Sequence, residues 1–178
     1  MSRPASLFFV SPGQVNFLIP DGTAAGVATL SVSAFDTKPQ TVPIQIVPVA
    51  PAVFTLDAAS LAAAYTVSVG PGSAQTDRAV YAVQAGNVIP APINVSPSAG
   101  QVYLILYGTG IRNATQSGVH VTVGGLSATV TYAGPQSQFP GLDQVNILLP
   151  SALAGSGNAA VVLTAAGIAA NTAYVSIQ

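Results

Sequence analysis

Gln14-Val15-Asn16-Phe17-Leu18-Ile19-Pro20 returns near the far end of the chain as Gln144-Val145-Asn146-Ile147-Leu148-Leu149-Pro150. Each copy follows a Gly/Pro-containing loop and leads into a polar turn and then an apolar stretch, so the two read as one structural unit used twice. Period-two alternation puts Val145, Ile147 and Leu149 on one face and Gln144, Asn146 and Leu148 on the other. Gln14, Asn16, Gln144 and Asn146 therefore read as structural residues, whose amides are expected to pair with backbone groups freed by the adjoining loops. Pro20 and Pro150 end the pairing without leaving an orphan donor. A long run of β-like sequence precedes the second copy, whereas the first begins close to Met1. The first unit is thus expected to lack its front half.

Outward from these two phrases, short alternating runs of Val, Ile, Thr, Tyr and Phe are separated by Gly, Pro and Asn clusters, the pattern of an antiparallel β protein. Strands are expected at residues 14–19, 26–34, 41–47, 65–69, 78–83, 87–94, 101–107, 119–123, 126–132, 143–149, 159–165 and 171–177. Gly124-Gly125 between two alternating runs predicts a tight hairpin, because both central residues of such a turn take positive φ. Leu56 to Ala64 reads either as one helical turn or as a lead-in strand. Pro48-Val49-Ala50-Pro51 withholds backbone donors at two positions and marks the boundary between a partial unit, 1–50, and a full one, 51–178. The expected fold class is all-β: immunoglobulin-like β-sandwich modules, the N-terminal one incomplete.

Several stretches together resemble a known family. Ala5-Ser6-Leu7-Phe8-Phe9-Val10-Ser11-Pro12-Gly13-Gln14-Val15-Asn16 opens the series, followed by Ala50-Pro51-Ala52-Val53-Phe54 and Leu106-Tyr107-Gly108-Thr109-Gly110. Val121-Thr122-Val123-Gly124-Gly125, Tyr132-Ala133-Gly134 and Gly141-Leu142-Asp143-Gln144-Val145-Asn146 complete it in the same order. This series resembles the uncharacterised C-terminal domain of large exported acidobacterial, Solibacter-type, proteins. The resemblance implies paired immunoglobulin-like modules in an extracellular or cell-surface protein, with no catalytic residues to carry over and with a secretion signal outside this chain. Met1-Ser2-Arg3-Pro4 stands where the family pattern has further strands. An incomplete sandwich exposes an edge and an apolar face, so the expected partner is a second copy, as a homodimer or a strand-exchanged homo-oligomer through Leu7–Val47.

Of 178 residues only nine are charged, with a net charge of −1, while Ser, Thr, Gln and Asn number 48. Hydroxyls and amides must solvate such a surface, and little electrostatic repulsion keeps copies apart. All five acids are Asp, a turn residue, and the helix former Glu is absent. Zero cysteines exclude disulfides, thiolate nucleophiles and Cys-based zinc sites. Arg3, Lys38, Arg78 and Arg112 are scattered, which argues against nucleic acid as a partner. No apolar run is long enough for a membrane-spanning helix.

His120 is the sole histidine, mid-strand and opposite the valine face, and reads as a solvent-facing strand residue. Were the chain a hydrolase, His120 would be its catalytic base, in a small calcium-dependent enzyme acting on an ester or lactone, although no Gly-x-Ser-x-Gly elbow is present. Calcium is the cation the sequence allows, since it takes Asp carboxylates and loop carbonyls. Asp21, Asp36, Asp57, Asp77 and Asp143 are the candidates, without an Asp-x-Asp-x-Asp-Gly loop. Turn capping is the plainer role for them. Six tyrosines without a tryptophan offer a third reading, a carbohydrate-binding module for surface polysaccharide.

Overall fold

Alternation becomes strand along most of the chain in the computed structural model, which describes residues 2–34, 38–70 and 74–178. The fold is all-β, and it divides after Pro48 into two units.

Val49–Gln178 is an immunoglobulin-like β-sandwich. One sheet centres on β10 (Gln101–Thr109), which pairs with β6 (Ala64–Val69) on one side and β13 (Asp143–Leu148) on the other. β5 (Ala52–Val53) pairs with the end of β10, and β7 (Gln75–Ala79) with β6. In the second sheet β14 (Gly157–Ala165) pairs with β11 (Val119–Val123), β15 (Ile168–Ala169) and β16 (Ala173–Ile177). β12 (Leu126–Pro135) serves both sheets: residues 126–128 pair with β11, and from Thr129 onward it pairs with β13. The hairpin into it turns on Gly124 and Gly125, at φ +55° and +81°, as the Gly-Gly pair predicts.

Strand alternation delivers the core. Leu104, Leu106, Val145 and Ile147 from the first sheet meet Val121, Val123, Val161, Leu163 and Val175 from the second in one buried cluster. Each such side chain contributes about 1.5–3 kcal/mol when taken out of water, which fixes which face of every strand turns outward.

Three expectations need correction. The strand expected at 78–83 is two: β7 ends at Ala79, Val80 turns into the core at 1% exposure, and β8 (Tyr81–Gln84) forms a hairpin with β9 (Asn87–Pro90). The strand expected at 87–94 stops at Pro90, because Pro90 and Pro92 withhold donors; Ile93 instead donates to the Ser176 carbonyl at 2.8 Å. Of Leu56 to Ala64, only Ala64 is regular strand, as the start of β6; the rest turns, with Asp57 accepting from the Leu61 N–H at 2.9 Å while Ser60 takes φ +63°. The sequence reading also passes over β1 (Ser6–Ser11), β5 and β15.

The first unit holds two hairpins, β1 with β2 (Gln14–Leu18) and β3 (Gly26–Val32) with β4 (Gln40–Ile46). Their registers repeat those of the second unit. Leu7 faces Phe17 and Phe9 faces Asn16, with Phe8 bulged out between; Val130 faces Ile147 and Tyr132 faces Asn146, with Thr131 bulged out. Pro20 and Pro150 each accept a turn hydrogen bond from three residues on, Thr23 at 3.2 Å and Leu153 at 3.1 Å. Gly26 then starts β3 opposite Ile46 as Gly157 starts β14 opposite Ile177. The four strands of the first unit are counterparts of the second half of β12, then β13, β14 and β16. The front of the module, β5 to β11, has no counterpart among its described residues.

Candidate functional site

The amides of the second phrase, Gln144 and Asn146, lie on the outward face of the first sheet. Gln144 donates from Nε2 to Oδ1 of Asn146 at 2.8 Å, and Gln14 does the same to Asn16 at 2.7 Å. This corrects the expectation of pairing with loop backbone: residues two apart on a strand share a face, so the amides reach each other first.

Around the Gln144–Asn146 pair, register assembles aromatic rings. Asn146 lies beside Tyr132 on one side and Ile105 on the other, and Ile105 lies beside Tyr65; Gln144 lies beside Tyr107. Tyr103, Ile105 and Tyr107 alternate out of phase with the core residues of β10, so Ile105, 4% exposed, is buried under this outer face and stands apart from the main core. Tyr65 and Tyr107 have ring centroids 6.0 Å apart at 33°. Burial raises the Tyr107 hydroxyl above the usual tyrosine range, and the nearby Tyr65, through charge and a hydrogen bond, adds to it. The Tyr132 hydroxyl donates to the Pro135 carbonyl at 2.7 Å, with its ring laid against Gly134.

Asp143, the first residue of β13, is completely buried. Its Oδ2 accepts from the N–H groups of Ile111 at 2.7 Å and Arg112 at 3.1 Å, and its Oδ1 from Arg112 Nε at 2.6 Å. Arg112 Nη2 also donates to the Leu142 carbonyl at 3.0 Å. Both carboxylate oxygens are thus committed to pinning the loop after β10.

The other described aspartates belong to separate elements. Asp21 accepts from Arg3 Nη1 through its backbone carbonyl at 2.7 Å, Asp57 caps its turn, Asp77 is exposed on β7, and Asp36 lies outside the described residues. Among the described residues no three metal-ligating side chains come together. His120 is exposed on β11 opposite Thr164, beside an open groove of about 530 Å³ formed where β12 leaves β11 for β13. Gln116, Ser117, Thr122 and Ser127 also line this groove, and no acid does.

Two residues that the sequence reading missed hold the ends of the sandwich. In the sequence Arg112 reads only as a scattered cation. Asn171 pairs its side-chain amide with both backbone groups of Val53, at 2.9 and 3.0 Å, in place of a neighbouring strand. Its expected place at the start of a strand, 171–177, gives no hint of that reach across the fold. No family model, curated protein or solved structure matches the chain.

Proposed function

We propose that the chain is a non-catalytic immunoglobulin-like module of an exported bacterial protein, serving adhesion, spacing or surface attachment through strand edges and shape, and that it self-associates through its first unit. One observation carries the reading, the apolar face that the first unit leaves in water. Val15, Val32 and Val42 are 36%, 45% and 49% exposed, whereas their counterparts Val145, Leu163 and Ala173 are 0% exposed. Leu7, Phe8 and Val10 add exposures of 61%, 57% and 62%. Large apolar side chains left exposed in such number mark an interaction site. The resemblance to exported acidobacterial domains supports the location. Light scattering over micromolar concentrations tests the association: a mass above 17.7 kDa supports it, and a monomer throughout overturns it.

A second reading draws on the outer face of the first sheet. Tyr65, Tyr103, Tyr107 and Tyr132 around the Gln144–Asn146 amides combine flat rings with hydrogen-bonding groups, which suits a polysaccharide chain. Retention on insoluble polysaccharide that is lost in Tyr107→Ala would support this reading, and equal elution of both proteins would remove it.

A further inference from the structure

In the second unit, the edge of β13 away from β12 is filled by β10. Leu104 stands opposite Ile147 and Leu106 opposite Val145, and the Leu149 N–H donates to the Val102 carbonyl at 2.9 Å. In the first unit the matching edge of β2 carries no strand; among the described residues β2 pairs with β1 alone. Val15, Phe17 and Ile19 hold the places of Val145, Ile147 and Leu149, so their N–H groups point to this open edge. The chain's own second unit therefore specifies what fits there: an antiparallel strand with inward apolar side chains at three alternate positions, as Val102, Leu104 and Leu106 provide.

β2 has that pattern itself. Laid antiparallel against a second β2, Phe17 meets Phe17 and Val15 meets Ile19, each taking a place that Leu104, Val102 or Leu106 fills beside β13. Charge does not oppose the approach. The chain carries net −1, and the described charged side chains of the first unit are Arg3, Asp21 and Lys38, none of them on β2; the Arg3 guanidinium is held by the Asp21 carbonyl. A neutral, self-complementary edge is the kind that pairs with its own copy.

Building on the self-association proposed above, we infer that two copies join edge to edge through β2, antiparallel and in register about Phe17, into a continuous sheet β1–β2–β2–β1. This pairing satisfies the open N–H groups and lets each copy cover part of the other's apolar face.

The test uses the full chain, whose lack of cysteine makes every introduced thiol unique. Phe17→Cys under mild oxidant is expected to give a disulfide-linked dimer on non-reducing electrophoresis. Val15→Cys alone is expected not to, because its two copies stand about 14 Å apart along the paired strands. A mixture of Val15→Cys with Ile19→Cys restores the cross-link, and Val27→Cys, 83% exposed on β3, serves as the control for collisional linking. A dimer by light scattering in which Val15→Cys links to itself, or Phe17→Cys does not, overturns the register while leaving self-association in place. A monomer by light scattering with no cross-link in any variant overturns both.

Discussion

Asp143 and Arg112 illustrate how a nearly uncharged chain spends its few charges. The carboxylate is fully buried and serves three donors, while the guanidinium is 36% exposed and reaches both Asp143 and the Leu142 carbonyl. Removing the acid strands two backbone N–H groups, and removing the base leaves a buried carboxylate underpaired. Asp143→Ala is expected to cost about 3 kcal/mol in urea unfolding followed by circular dichroism. Arg112→Lys should lose part of this, since an ammonium cannot match the guanidinium fork. Tyr107 yields a pH prediction. Its hydroxyl titrates above the ordinary value of 10.0, so folding favours the protonated form. That contribution is complete below the unfolded value and is lost as pH rises through the folded one. Stability is expected to fall above about pH 10, and to fall less steeply in Tyr107→Phe, in urea titrations on either side of that pH. His120 is expected to be dispensable: His120→Ala and the parent should both hydrolyse esters and lactones at the background rate, with calcium or with chelator. Turnover that vanishes on this substitution would make the chain an enzyme.

Strands with clean alternation were readable in advance. Residues 119–123 alternate valine with polar residues and form β11 with those bounds, and Gly124-Gly125 turns as its composition demands. What could not be read were elements whose existence depends on distant partners. β5 is two residues long and stands on two distant partners, the end of β10 on one side and the Asn171 side chain on the other. Asn171→Ala is expected to release β5 and speed amide exchange at Val53, with little change in β11. Val80 breaks an apparently continuous strand because the core takes its side chain, a tertiary demand that local pattern does not encode. The amide phrase signals a repeat, and its period-two spacing already puts Gln and Asn on one face; the tyrosines beside the pair come from register between strands that a single sequence does not reveal.

Taken whole, the chain contains a module and the latter part of a second, and the two copies agree down to the residue bulged out opposite the Asn–hydrophobic step. Such agreement says that the β12–β13 and β14–β16 pairings each keep their register without β5 to β11 beside them. The seam falls at the Gly124-Gly125 turn, beyond which the later strands pair back onto the earlier ones, β13 on β10 and β14 on β11. The complete module is expected to be separable there. Cut at those glycines, it should yield two polypeptides that find each other in solution and rebuild the sandwich, making this fold a natural source of a mutually recognising peptide–protein tether.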